Sequence, residues 1–138
     1  MTEEIRRILI AEDEEDLLEM YTRALTSSGF MVLPASNGKE ALNVLEKEFE
    51  NIDIILLDIV MPEMDGFEAL KMIKSDERFR KITVLVSTNL DNDEDRKEAF
   101  ENGAREYFVK SQHTPSELVV KVKELLESDN TSASPIEK

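Results

Sequence analysis

A chain of 138 residues is one domain by size, long enough for a single continuous core and too short for two. Its 17 lysines and arginines against 31 aspartates and glutamates leave a formal net charge of −14, which excludes the basic footprint that a nucleic-acid backbone or an anionic membrane surface requires. Cysteine is absent, so disulfides, thiolate nucleophiles and cysteine-ligated zinc are excluded as well.

The apolar runs are too short to span a bilayer, and the opening "MTEEIRRILI" lacks the long apolar stretch of a secretory signal, so the cytoplasm is the expected compartment. "RRILIA", residues 6 to 11, is a short apolar run that stops at Glu12 and Asp13 and reads as a buried strand. From Asp16 to Leu25, Leu17, Leu18, Tyr21, Ala24 and Leu25 recur at helical spacing, and Gly29 closes that helix. "FMVLPA" predicts a second strand whose Pro34 belongs at a sheet edge or strand end. Asn37 is the expected cap of a helix that carries Ala41, Leu42, Leu45 and Phe49 on one face.

"IDIILLD", residues 52 to 58, is nearly continuous in Ile and Leu. That pattern belongs to a parallel strand covered on both sides, because a half-exposed antiparallel strand alternates. A helix over 67–75 follows, with Asp65 as its expected cap and Met61 and Met64 packing the loop before it. "ITVLVS" (82–87) predicts strand four. The next helix, 93–102, opens in the acidic run "DNDED", which the helix dipole favours as a solvated start, with a partner-facing acidic patch as the sharper alternative. Gly103 ends it, and "EYFVK" gives strand five. His113, the only histidine, is expected to have no chemical role. "TPSE" then opens the last helix with Thr114 as cap, Pro115 at the first helical position and Glu117 completing a capping box. Its apolar face is Leu118, Val119, Val122, Leu125 and Leu126. The expected domain is 1–127, and "SDNTSASPIEK", 128–138, reads as a disordered tail.

Five β-α units predict an α/β domain with a parallel sheet between two layers of helices. In such sheets functional groups collect beyond the carboxyl ends of the strands. Glu12 and Asp13 follow strand one, and Asp58 ends strand three. If those strands are neighbours, three carboxylates converge, which is costly unless a cation is present. Hard oxygen ligands suit Mg²⁺, beside which one carboxylate can also be a nucleophile toward a phosphoryl group. The plainer alternative is that Glu12 and Asp13 only begin the loop and cap the first helix. Strand four ends in Ser87 and Thr88, and strand five in Lys110. A hydroxyl and an ammonium at one sheet edge are the donors that a bound phosphoryl group needs.

"ILIAEDE", "IILLDIVMPEMDGFE", "VLVST" and "GAREYFVK" together resemble the receiver domain of two-component response regulators, the CheY-like family, over residues 5 to 127. The resemblance implies a (βα)5 flavodoxin-like three-layer sandwich with strand order 2-1-3-4-5. It implies that Asp58 is the phosphoacceptor, taking its phosphoryl group from a sensor histidine kinase or a histidine phosphotransfer domain. Asp13, Asp58 and the backbone carbonyl of Val60 would hold Mg²⁺ directly, with Glu12 acting through water. Thr88 matches the switch hydroxyl, with Ser87 a rival in register, Tyr107 the aromatic switch residue that turns inward, and Lys110 the family's lysine. Phosphorylation would then alter the face made by helix four, strand five and helix five.

One departure concerns the residue after Lys110, Ser111, where the family has proline on a cis bond. A cis bond before serine costs about 2.5–4 kcal/mol, against about 0.5–1 before proline, so the turn is either strained or trans. Val60 and Leu90, two past the acceptor and two past the switch hydroxyl, are apolar and cannot orient an attacking water. A long-lived phosphoaspartate is therefore expected. The chain is expected to be a switch rather than an enzyme beyond its own phosphotransfer and dephosphorylation. No effector domain follows the last helix, so output is expected through an unidentified protein effector, a phosphorelay histidine domain or a homodimer; a piece of a larger regulator would read the same. Two other functions stay open. A Mg²⁺-dependent phosphohydrolase would want a general acid where Val60 stands and a cap domain; a receiver-like binding module that signals without phosphorylation is kept open by Ser111.

Overall fold

The computed structural model describes residues 5–132. In chain order the elements are β1 (Arg7–Ala11), α1 (Glu15–Ser27), β2 (Met31–Ala35), α2 (Gly38–Glu48), β3 (Ile54–Leu57), α3 (Gly66–Ser75), β4 (Thr83–Thr88), α4 (Asp93–Glu101), β5 (Glu106–Val109) and α5 (Pro115–Ser132). All four strand pairings are parallel, and the sheet order is β2-β1-β3-β4-β5. This is the (βα)5 flavodoxin-like arrangement expected from the sequence.

Every residue of β3 is buried, and alternate side chains enter different cores. Ile55 and Leu57 join Leu9, Leu45, Leu70 and Val86 on one face of the sheet; Ile54 and Leu56 join Ile8, Leu25, Leu85, Phe108 and Val122 on the other. Full burial of such side chains contributes roughly 1.5–3 kcal/mol each, which is why the central strand has no polar alternation. Pro34 sits on β2, the edge strand, where a missing N–H costs least.

The expected caps are in place. Asn37 Oδ1 accepts from Glu40 N (2.8 Å), Asp65 Oδ1 from Glu68 N (2.9 Å), and Thr114 and Glu117 exchange reciprocal bonds of 3.1 and 2.8 Å. Gly29 and Gly103 have φ of 99° and 106°, the left-handed conformation that ends helices. His113 stacks on Phe108, with ring centroids 4.5 Å apart, and packs the start of α5. The last helix is longer than expected. α5 continues beyond Glu127 to Ser132, into the segment expected to be disordered; residues 133–138 of that segment lie outside the described residues.

Candidate functional site

The register places the carboxyl ends of β1 and β3 side by side, with Ala11 opposite Leu57, so the residues that follow must converge. Asp58 N–H still bonds Ala11 C=O (3.1 Å) and Glu12 N–H bonds Ala35 C=O (3.0 Å), which pins both acidic backbones to the sheet edge. Glu12, Asp13 and Asp58 each place a carboxylate oxygen within 4.8 Å of the others. Glu12 and Asp58 are buried and Asp13 is exposed.

Lys110 is the cation of this group. Its buried ammonium donates to Glu12 Oε1 and, at 3.1 Å, to Asp58 Oδ2. The second oxygens are also engaged: Glu12 Oε2 accepts from Glu14 N (3.1 Å), and Asp58 Oδ1 from Val60 N (3.0 Å). Glu12 therefore steadies the entry to α1, as the plainer alternative had it, while also holding Lys110. The formal cap of α1 is Glu14, whose side chain makes no capping bond.

Burial pushes the Glu12 carboxyl above its ordinary range, although Lys110 pulls the other way. For Lys110, burial alone would lower the pKa; Asp58 and Glu12 together outweigh it and hold the ammonium above the usual lysine value. Three carboxylates around one ammonium leave two negative charges uncompensated if all are ionised. A divalent, oxygen-seeking cation fits that residue of charge. The triad is thus a site of the kind magnesium uses, and the exposed Asp13 lies on its solvent side.

Asp13, Asp58, Val60, Thr88, Leu90 and Lys110 all line one cleft of about 250 Å³. The Val60 side chain stands at its mouth, 54% exposed. Strand alternation separates the two candidate hydroxyls: Ser87 follows the face of Leu85, whereas Thr88 follows Val84 and Val86, is fully buried and lines the cleft. Thr88 Oγ1 accepts from Leu90 N (3.3 Å), and Leu90 C=O accepts from the Tyr107 hydroxyl (2.8 Å). Tyr107 is already buried, under the Arg96 guanidinium 4.7 Å from its ring centroid. Burial raises its pKa and keeps the phenol a donor. Leu90 thus links Thr88 to Tyr107 through its backbone, a role no side-chain motif announces.

Lys110 opens a 3₁₀ turn, Lys110–Gln112. Peptide bonds among the described residues are trans, so Ser111 follows Lys110 without a cis bond. Gln112 ties the turn to the β4–α4 loop by donating to Asp91 Oδ2 at 2.6 Å. On the other side of Asp58, Gly66 lets the start of α3 lie against the Asp58 backbone. A Cβ there would stand 2.2 Å from the Asp58 carbonyl oxygen and 2.4 Å from Ile59 Cα, closer than any side chain tolerates.

Residues 8–123 match the family model of the response regulator receiver domain. The chain belongs to that family. It is 35% identical over 121 residues to the phosphate regulon transcriptional regulatory protein PhoB of Klebsiella pneumoniae, covering 88% of this chain and 52% of that one. It is 32% identical over 128 residues to the alkaline phosphatase synthesis transcriptional regulatory protein PhoP of Bacillus subtilis, covering 93% and 51%. The receiver thus spans about half the length of the curated relatives it matches. Among solved structures it resembles a CheY-like response regulator receiver domain protein from Methanospirillum hungatei, with a TM-score of 0.85, 27% identity, and coverage of 94% and 99% of the two chains. A chain of the CheX-CheY-BeF3-Mg²⁺ complex from Borrelia burgdorferi aligns with a TM-score of 0.80, 28% identity and coverage of 87% and 88%. Among the described residues of this receiver, no helix is long and apolar enough to cross a membrane.

Proposed function

We propose that this receiver is a phosphorylation switch in which Asp58 accepts a phosphoryl group from the phosphohistidine of a sensor histidine kinase or histidine phosphotransfer domain. The observation that carries the reading is the Lys110 ammonium bonded to both Glu12 and Asp58, with Asp13 completing the triad at the sheet edge. An Asp58 carboxylate oxygen attacks phosphorus as the P–N bond to the donor imidazole breaks, and the imidazole leaves with the electron pair and takes up a proton. Asp13, Asp58 and the Val60 carbonyl would hold magnesium, with Glu12 contributing through water; when bound, the ion neutralises charge building on the phosphoryl oxygens. Lys110 and the Thr88 hydroxyl donate to those oxygens. Thr88 Oγ1 accepts from Leu90 N–H and Leu90 C=O from Tyr107, so a Thr88 side chain drawn toward the phosphoryl group would carry the β4–α4 loop and Tyr107 with it.

The altered α4–β5–α5 face is then what an effector protein or a second copy reads in the cytoplasm. Incubation with Mg²⁺ and acetyl phosphate tests the reading. One phosphoryl group per chain should add as a base-labile adduct, absent in Asp58→Asn. Many turnovers of phosphate release would favour a hydrolase, and no adduct despite normal Mg²⁺ binding would favour a phosphorylation-independent module. The exposed Val60 side chain and Leu90 offer no group to orient water. The adduct should therefore decay slowly; a lifetime of seconds contradicts this.

A further inference from the structure

We propose that Gly38, at the start of α2, is a positioning residue for the magnesium side of the site, acting through the loop that follows Asp58. The inference rests on the reading of Asp58 as an acceptor that works with magnesium. Gly38 is buried against Met64, and a Cβ on it would stand 2.9 Å from the Met64 carbonyl oxygen and 3.4 Å from both Met64 Cβ and Ala69 Cβ. The nearest atom is backbone, so a side chain at position 38 must displace either helix or loop.

The loop is the element that yields. α2 is fixed by its Asn37 cap, by Ser36 N–H donating to Glu40 Oε1 (2.7 Å), and by Ala41 and Leu45, both wholly buried. Between Val60 and Met64 the backbone closes one bond of its own, Met64 N–H to Pro62 C=O at 2.8 Å. That bond closes a γ-turn around Glu63, whose φ of 69° is a conformation that residues with side chains rarely adopt. The far end of the loop cannot move with it, because Gly66 lies against the Asp58 and Ile59 backbone and Gly66 N–H bonds Ile59 C=O (3.1 Å). A push on Met64 is therefore passed back through the turn toward Val60, whose N–H holds Asp58 Oδ1. Gly38 thus sets where the Val60 carbonyl and the Asp58 carboxylate sit, from an element that contributes no group to the cleft.

Helix propensity and this steric effect have opposite signs in Gly38→Ala. Alanine favours the helix, while its Cβ disturbs the loop. The test compares wild type, Gly38→Ala and Asn37→Ala, which loses the helix cap and adds no atom toward Met64. Each is titrated with Mg²⁺ alone, following the Val60 amide signal by NMR, and its melting temperature is measured in metal-free buffer. Gly38→Ala should shift the Val60 amide and weaken Mg²⁺ about tenfold, as loss of a supporting contact typically does, with a melting temperature no lower than that of Asn37→Ala. Asn37→Ala should melt earlier yet bind Mg²⁺ as wild type does. Wild-type affinity in Gly38→Ala overturns the proposal. So does failure of Gly38→Ala to fold, or an equal loss of affinity in Asn37→Ala. Failure of wild type itself to bind Mg²⁺ would instead overturn the reading on which the proposal rests.

Discussion

Arg78 and Lys110 each hold two carboxylates with one cation, and the two places behave oppositely. At the surface, Arg78 grips Glu46 with bonds of 2.7 and 2.9 Å and Asp76 with bonds of 2.7 and 3.0 Å, its guanidinium 4.5 Å from the Phe79 ring centroid. At the sheet edge, Lys110 bridges Glu12 and Asp58. The Arg78 side chain is 44% exposed and that of Lys110 4%. Hydrogen bonds from Arg78 lower both surface carboxyls, whereas burial lifts Glu12 despite its lysine. The same charge pattern is a satisfied staple in water and, beneath the surface, an under-compensated cluster that a second cation can complete.

Removing the buried cation should have the largest effect. Lys110→Met leaves Glu12 and Asp58 facing each other in a buried setting, and breaking a buried pair costs about 3–5 kcal/mol; urea unfolding in metal-free buffer reads it. Arg78→Ala should lower stability far less and leave Mg²⁺ binding and phosphorylation untouched, since its partners are solvated. A cation should stabilise only the buried cluster. Mg²⁺ at a hundred times its dissociation constant should add about 2.7 kcal/mol, a gain that Asp13→Asn reduces and Arg78→Ala keeps.

The pH dependences should run in opposite directions. The folded Glu12 carboxyl lies above its ordinary 4.5, so its contribution is fully present below that value and is lost as pH rises through the folded pKa. Asp76 and Glu46 lie below their ordinary 3.8 and 4.5, so theirs is present above those values and is lost as pH falls. Without metal, the stability of Glu12→Gln relative to wild type should therefore rise as pH climbs from about the ordinary glutamate value. The deficit of Arg78→Ala should close in acid. Parallel denaturation curves across pH check both, and a common direction would contradict the contrast.

Why the sheet was legible and parts of the site were not has a physical basis. Strands buried on both faces must be continuous runs such as "IILL", and caps such as Asn37, Asp65 and Thr114 have side-chain signatures, so order and boundaries could be anticipated to within a few residues. Glu12, Asp13, Asp58, Thr88 and Lys110 were recognisable because each is a polar residue closing an apolar run. Leu90 contributes through backbone atoms, and Gly38 through the absence of a Cβ, so neither leaves a chemical signature in its own side chain. The extension of α5 to Ser132 was hidden because a nucleated helix adds a backbone bond with each further residue, without needing an apolar stripe. The trans turn after Lys110 was one of two geometries the sequence left open.

Where the phosphoryl group resides can be mapped directly. After incubation with Mg²⁺ and acetyl phosphate, borohydride reduces an aspartyl phosphate to homoserine, which peptide mass spectrometry can locate. Homoserine is expected at position 58 alone, and none when Asp58→Asn is treated in the same way. Conversion at Glu12 or Asp13, or an adduct that persists in Asp58→Asn, would contradict it.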